Sequence, residues 1–162
     1  MSIYKALVQP TLDYACTVWS PDLQQDRDKI QAVQRRGARF VFNRYHNTSS
    51  PTEMLSSLEW ETLESRRTRL RLSMFYNIHH RLVDISPPSY ICLGPVRARR
   101  STISRDLYYF NIHKGTDYYK STFFPFTINI WNSLPASAVH ARSIDSFKVE
   151  IGNLQFPYPN KL

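Results

Sequence analysis

The amino-acid sequence predicts a mainly α-helical bundle with a small β-hairpin in its C-terminal half. Apolar residues recur at helical spacing through most of the chain, and polar or proline-containing turns separate these segments. Residues 97–113 instead contain two short runs of β-branched and aromatic residues, a composition typical of strands. A chain of 162 residues can bury a core without disulfide staples.

The first helices are predicted over residues 2–19, with an interruption at Pro10, and over 21–45. Ser20 and Pro21 are suited to the cap and first position of the second helix. The second helix carries an apolar arc that is expected to face a core, and Arg35 and Arg39 lie on its other side. The arc consists of Ile30, Val33, Gly37, Phe40 and Val41.

Two further helices complete the predicted first half. Ser50, Pro51 and Glu53 match a capping box, which predicts a short helix that ends near Leu58. The strongest helical pattern covers residues 60–83, with two apolar faces that predict packing on both sides. The broader face contains Trp60, Leu63, Leu70, Met74, Ile78 and Leu82.

Paired prolines and a glycine in residues 84–95 mark the end of this helical half. The predicted hairpin pairs 97–103 with 107–113, a helix follows over 118–134, and Ser143 caps a last short helix. The predicted organisation is a helical region (1–85), a linker (86–96), a C-terminal extension with the hairpin and two helices (97–155), and a tail (156–162).

The uncharged stretch FFPFTINIWNSLP, residues 123–135, permits three interpretations: a membrane segment, a base-stacking platform, or part of a hydrophobic core. Pro125, Pro135, Asn129 and Asn132 argue against a membrane span, because each leaves polar groups that are costly in hydrocarbon. Aromatic residues at helical spacing favour the core over the stacking platform. Trp60, Phe123, Phe124 and Trp131 are the expected aromatic core residues.

The positive charge is concentrated in three windows. The chain has 21 Lys and Arg against 13 Asp and Glu, and 14 of the positive residues fall within 27–45, 66–71 and 97–105. Such clusters favour binding to a nucleic-acid backbone. The alternative is that the arginines form local ion pairs with Asp26, Asp28, Glu61 and Glu64. The candidate nucleic-acid-binding residues are Arg35, Arg36, Arg39, Arg66, Arg67, Arg69, Arg97, Arg99 and Arg100.

No complete catalytic site is recognisable in the sequence. His79 and His80 are adjacent and cannot chelate one ion from a helix, and no phosphate-binding glycine motif is present. Asp22, Asp26 and Asp28 cluster, but at a predicted helix start, where capping explains them. We therefore expect no metal, no cofactor and no independent enzymatic activity.

Compartment is indicated only indirectly. Cys16 and Cys92 are isolated and form no CxxC motif, which favours reduced thiols and an intracellular, nuclear or cytoplasmic location. The first residues lack the apolar run of a signal peptide, because Gln9, Pro10 and Asp13 interrupt it. Neither a signal peptide nor a transmembrane segment is expected.

Five motifs in order resemble the segment that follows the catalytic palm in reverse transcriptases of non-LTR, LINE-type retrotransposons, particularly the jockey-like kind. The resemblance covers about residues 3–151. It is carried by LVQPTLDYACTVWSP, IQAVQRRGARFVFNRY, MLSSLEWETLESRRTRLRLSMFYNIHHRLV, YYKSTFFPFTINIWNSLP and SIDSFKVEI.

The resemblance implies a thumb-like helical region and its C-terminal extension. It also implies that the arginines of QRRGARF and ESRRTRL contact the backbone of an RNA or DNA template–primer duplex. Two positions depart from the family pattern: Gly37 replaces the usual alanine, and Phe126 replaces the basic residue after FFP. The expected function is a nucleic-acid-binding fragment of an RNA-directed DNA polymerase, which lacks the palm and fingers and therefore does not polymerise. The alternative is a structural or protein-interaction remnant with no activity of its own.

Overall fold

Helices predominate in the structure, a computed structural model that describes residues 3–19, 21, 23–46, 50–93, 109–111, 116–154 and 156. The mainly helical class is therefore confirmed. A π-helical turn, Tyr4–Val8, precedes the first α-helix. The elements that follow are α1 (Gln9–Asp13), α2 (Gln24–Phe42), α3 (Pro51–Ser57), α4 (Leu63–His79), β1 (Ile91–Leu93), β2 (Tyr109–Asn111), α5 (Asp117–Ser121), α6 (Phe123–Trp131), α7 (Ala136–Val139) and α8 (Ile144–Gly152).

The chain divides into two compact units, and the boundary falls within α4. Met1–Thr68 and Phe156–Leu162 build the first unit, and Arg69–Gln155 form the second. The regions 1–85, 86–96, 97–155 and 156–162, which follow composition rather than packing, stay a prediction.

The core of the first unit is built around a stacked pair of aromatic rings. Tyr4 and Trp60 lie with ring centroids 4.3 Å apart and planes inclined by 17°. Met54 and Leu55 of α3 and Ala38 of α2 complete the buried cluster. Burial of these apolar surfaces joins the N-terminal segment, α2 and α3 into one unit.

Helix α3 begins as the sequence predicts and ends by directing Trp60 into this core. The Ser50 hydroxyl accepts from the Glu53 backbone N–H at 3.4 Å, which confirms the N-cap. After the helix, Glu59 adopts a left-handed conformation with φ of 53°. This conformation lets the Trp60 N–H donate to the Leu55 carbonyl at 2.9 Å, so the chain turns back and the indole reaches Tyr4.

Helix α2 presents a different face to the core from the one the sequence predicts. Gln34 and Ala38 are its buried residues, whereas Phe40 is 69% exposed and Val41 is 43% exposed. The apolar-arc prediction is wrong for Phe40 and Val41, although Gly37 does pack against Tyr4. Gln34 lies in the interior because its polar group is satisfied there: its amide donates to the Glu61 carbonyl at 2.7 Å. The helix also begins at Gln24 with Leu23 as its N-cap, not at Pro21.

The N-terminal helix is shorter than predicted. It ends at Asp13, because Tyr14 is extended and Ala15 is left-handed with φ of 50°. The Trp19 indole N–H then donates to the Tyr14 carbonyl at 2.7 Å, which stabilises the turn. The predicted continuation to residue 19 is therefore wrong.

The second unit is packed around Trp131, whose side chain is 1% exposed. Phe75 of α4 meets the indole edge-to-face at 5.0 Å, and Phe147 of α8 lies at 5.7 Å. Tyr76 stacks on Phe147 at 4.6 Å, and its hydroxyl donates to the Ala141 carbonyl at 2.9 Å. These contacts join α4, α6 and α8 through a single aromatic core.

The predicted helix over 118–134 is divided into α5 and α6 at Thr122, whose backbone is extended. A continuous helix would force the Pro125 ring against the Ser121 carbonyl. With the break at Thr122, Pro125 instead lies in the first turn of α6, where its missing N–H costs nothing. The last helix agrees with its prediction, since the Ser143 hydroxyl accepts from the Ser146 N–H at 3.2 Å.

The predicted hairpin between 97–103 and 107–113 is not supported. Residues 97–103 lie outside the described residues, and β2 pairs antiparallel with β1, with Cys92 opposite Phe110. The residue pattern identified a strand within 107–113 correctly but not its partner, because pairing depends on tertiary contacts rather than on local composition.

Helix α4 is bounded more tightly than residues 60–83. Arg81 is left-handed with φ of 55°, and the Leu82 N–H donates to the Asn77 carbonyl at 2.8 Å, which closes the helix. Leu82 is consequently 61% exposed, and Leu70 is 36% exposed. The prediction that both lie on a buried apolar face is therefore wrong.

We predict that Gly37→Ala lowers the free energy of unfolding of the first unit by about 1 kcal/mol. A Cβ at this position would lie 2.7 Å from Cδ2 of Tyr4, whose ring is held by Trp60. The overpacking cost of about 1–3 kcal/mol exceeds the roughly 1 kcal/mol gained in helix propensity. Urea denaturation followed by tryptophan fluorescence measures the change.

The matched control is Gly152→Ala, because nothing lies within 4 Å of a Cβ at that helical position. This variant is expected to be neutral or up to about 1 kcal/mol more stable. If both substitutions stabilise equally, the close approach of Tyr4 to α2 is contradicted.

We also predict that Trp131→Ala destabilises the second unit by about 3–5 kcal/mol, the cost of truncating a buried tryptophan. Val149→Ala on α8 is the control, since Val149 is 67% exposed and its truncation should cost within about 0.5 kcal/mol. Thermal and urea denaturation measure the stability of the two variants. If both unfold at similar temperatures and urea concentrations, Trp131 is not the centre of the core.

Candidate nucleic-acid interface

The outward surface of α2 is formed by the arginines that follow its midpoint. Arg35 and Arg36 are exposed, and Arg39 is half-buried. At 3.6 residues per turn, Arg36 lies roughly 160° around the helix from both Gln34 and Ala38. The packing that buries Gln34 and Ala38 therefore directs Arg36 to solvent.

No acidic residue occurs between Lys29 and Thr52. The acids of α2, Asp26 and Asp28, lie in its N-terminal part, where Asp26 pairs with Lys29 at 2.8 Å. The C-terminal half of the helix and the segment after it therefore carry only positive charges. We call Arg35, Arg36, Arg39 and Arg44 the α2 basic face.

A hydrogen-bonded cap fixes Arg44 beside the end of α2. Asn43 is left-handed with φ of 50°, and its N–H donates to the Phe40 carbonyl at 3.2 Å. The Arg44 N–H donates to the Arg39 carbonyl at 3.1 Å. This pair of bonds is the Schellman arrangement, and asparagine tolerates the left-handed position better than most residues. Arg39, Arg44 and Tyr45 are thus held at one end of the helix.

The arginines at the start of α4 bind the protein itself. The Arg66 guanidinium forms an ion pair with Asp13. When the Gln9 amide is oriented with its oxygen toward this group, that oxygen accepts from Nε and Nη1 at 2.9 and 3.0 Å. Arg67 is 6% exposed, donates to the Leu12 carbonyl at 2.9 Å and lies 4.7 Å over the Trp19 ring. Both side chains connect α4 to the N-terminal segment.

Burial around this cluster alters the pKa of its members. Burial raises the pKa of the Tyr4 phenol to about 12; the Asp13 carboxylate adds to this effect and Arg66 opposes it. Burial also lowers the pKa of the Arg67 guanidinium, against the opposing effect of Cys16 and Asp13. The directions reflect the cost of placing charge away from water.

The next arginines of α4 make contacts within the second unit. Arg69 donates to the Gly152 carbonyl at 2.8 Å. Gly152 lies at the C-terminal end of α8, where the negative end of the helix dipole stabilises a cation. Arg71 is 4% exposed and lies 4.9 Å over the Phe126 ring. The ring face of Phe126 thus stabilises a guanidinium that has little contact with water.

The remaining sequence candidates are distributed as follows. Arg97, Arg99 and Arg100 lie outside the described residues. Trp60 is 7% exposed and Trp131 is 1% exposed, whereas Phe123 and Phe124 are half-buried and meet edge-to-face at 5.1 Å. The described arginines therefore separate into those of α2, of which Arg35 and Arg36 are exposed, and those of α4, which contact the protein.

Sequence reasoning missed two aromatic residues beside the α2 basic face. Phe40 had been placed in the core, and Tyr45 had no assigned role, yet they are 69% and 59% exposed. A signal was present: Phe40 follows Arg36 by four residues, so a basic outward face at Arg36 implies an outward Phe40.

No protein-family model, curated protein or solved structure matches this chain. Within the described residues, no group of three or more His, Cys, Asp or Glu side chains is placed to hold a metal ion. No helix in this described portion is long and apolar enough to cross a membrane.

We predict that Arg67→Gln lowers the free energy of unfolding by about 1–3 kcal/mol. The change removes the charged hydrogen bond to Leu12 and the cation–π contact with Trp19 from a buried position. Arg36→Gln, at an exposed position of the same charge, should change stability by less than about 0.5 kcal/mol. Chemical denaturation measures the free energy of unfolding of the two variants. If both substitutions lower it equally, the conclusion that Arg67 is structural and Arg36 is not would be contradicted.

Proposed function

We propose that this chain binds nucleic acid through the α2 basic face. The observation that supports the proposal is an exposed cluster of arginines with no acidic residue among them or in the segment that follows. Guanidinium groups match phosphate geometry and are weakly hydrated, so they bind a phosphate backbone well. Binding of this kind releases condensed counterions and weakens as salt rises.

The resemblance to the segment after the palm in non-LTR reverse transcriptases supports a more specific form of this proposal. In that form the chain is a thumb-like part of an RNA-directed DNA polymerase, and it holds a template–primer duplex. Phosphoryl transfer then belongs to the palm and fingers, and this chain contributes binding alone. Arg35, Arg36 and Arg39 of QRRGARF are its backbone contacts.

The structure favours α2 over α4 as the binding element. Arg66 and Arg67 already make an ion pair, a carbonyl hydrogen bond and a ring contact, so their use by a ligand would require those contacts to break. Leaving a buried group such as Arg67 unpaired is costly. Arg35 and Arg36 are exposed and need no such rearrangement.

A second candidate function is protein interaction, and a separate observation favours it. The N-terminal segment exposes several large apolar side chains. In this alternative, these side chains form a surface that packs on the palm of a polymerase, and without the palm they promote self-association. These residues are Ile3, Leu7, Tyr14 and Val18, at 69%, 68%, 77% and 86% exposure. Oligomers that form with rising concentration, without nucleic-acid binding, would support this candidate instead.

We predict that Arg35→Gln combined with Arg36→Gln weakens nucleic-acid binding and reduces its salt dependence. Each lost phosphate contact should lower the slope of log affinity against log salt by about 1. Fluorescence anisotropy with a labelled duplex at a series of salt concentrations measures the slope.

The control is Arg142→Gln combined with Lys148→Gln, which removes two exposed charges from the second unit. If binding depends on net charge alone, both pairs of substitutions weaken it equally, and the α2 basic face is then not a site. Absence of binding by the unsubstituted chain at low salt contradicts the proposed function altogether.

A further inference from the structure

Phe40 and Tyr45 are large aromatic side chains left in water next to the α2 basic face. They are 69% and 59% exposed, in a unit where Tyr4 and Trp60 are buried. Arginines attract an anionic partner, and an exposed ring beside them can stack on a planar one. The two rings are therefore candidates for ligand contact.

The helix geometry places Phe40 within the basic surface. Residues four apart on a helix are neighbours, so Phe40 lies beside Arg36, and Arg39 is the residue before it. Around the helix axis, Arg35, Arg39, Arg36 and Phe40 follow one another across about 140°. Positive charge and an aromatic ring thus share one continuous outward face.

Tyr45 follows the cap at the C-terminal end of α2. The bonds from Asn43 to Phe40 and from Arg44 to Arg39, at 3.2 and 3.1 Å, fix the backbone immediately before it. The sequence Arg39, Phe40, Arg44, Tyr45 therefore alternates guanidinium groups with rings at one end of α2. Alternation of cations and rings is how sequence-tolerant single-strand binders are built.

We infer that the α2 basic face takes single-stranded nucleic acid, with its arginines on the phosphates and bases stacked on Phe40 and Tyr45. This inference rests on the proposed function and names the substrate class for that same site. In a duplex the bases are stacked on each other, so their faces are not available to the rings and the duplex meets this surface with its phosphate backbone. Unpaired bases of a single strand offer free faces on which the rings can stack. The rings should therefore add affinity for a single strand and none for a duplex.

The test compares three labelled ligands by fluorescence anisotropy: an oligothymidylate of about twelve nucleotides, an abasic strand of the same length, and a duplex of matched length. The abasic strand has the phosphates without the bases. The intact chain should bind oligothymidylate about tenfold or more tightly than the abasic strand.

The variant Phe40→Ala/Tyr45→Ala should lose that advantage, binding oligothymidylate about tenfold or more weakly. Its affinity for the abasic strand and the duplex, and its salt slope, should stay unchanged, because the phosphate contacts remain. Tyr14→Ala is the matched control, since Tyr14 is a 77% exposed aromatic of the same unit and lies outside α2. The ring-retaining variant Phe40→Trp/Tyr45→Phe should bind as the intact chain does.

The outcomes separate the inference from the proposed function. Equal binding of oligothymidylate and the abasic strand by the intact chain overturns the stacking inference and leaves the phosphate-binding proposal standing. Binding of neither strand nor duplex overturns both. A polyglutamate peptide serves as a fourth ligand. If the intact chain binds this peptide as tightly as oligothymidylate, the face is a docking site for acidic proteins and the inference is overturned. If the double alanine variant fails to fold, the comparison of strands with the intact chain and the ring-retaining variant still decides.

Discussion

The requirement that a guanidinium packed against the protein find a partner there determines how α4 is used in each unit, most strictly for Arg67, which is 6% exposed. Arg66 and Arg67 reach Asp13 and the Leu12 carbonyl in the first unit, and Arg69 reaches the Gly152 carbonyl in the second. An unpaired buried charge is among the most costly features that a protein can contain. Each of these arginines therefore ties a distant part of its own unit to the helix.

The same requirement separates structural arginines from those available to a ligand. Both clusters, QRRGARF and ESRRTRL, look alike in composition. The arginines of ESRRTRL contact the protein, whereas those of QRRGARF are exposed apart from the half-buried Arg39. The difference lies in the partners: carbonyls and a carboxylate face α4, whereas nothing acidic follows Lys29 for more than twenty residues. The number of arginines in a sequence segment therefore overestimates the number available to a ligand, because some of them contact groups within the protein.

Two of the predicted helix caps are present, whereas the start of α2 at Pro21 and the features that depend on distant partners were predicted wrongly. The caps at Ser50 and Ser143 follow from side chains that bond within three residues, and both are present as predicted. The buried face of α2 was missed because Gln34 finds the Glu61 carbonyl, 27 residues away. Of the candidate interface, the arginines on α2 were named but Phe40 was assigned to the core, and the inward direction of Arg67 could not be known without Trp19 and Leu12.

The orientation of α2 follows from its small residues. Tyr4 can approach α2 closely only where side chains are absent or short, and Gly37 and Ala38 are such positions. Their contact fixes the rotation of the helix about its axis, and Arg36 is then directed outward by helix geometry alone, with Phe40 beside it. Gly37 is therefore the residue that sets the arginine and aromatic side chains on the surface. Core packing and the candidate ligand surface are in this sense one feature, since a helix that buries one face has no freedom in what it exposes on the other.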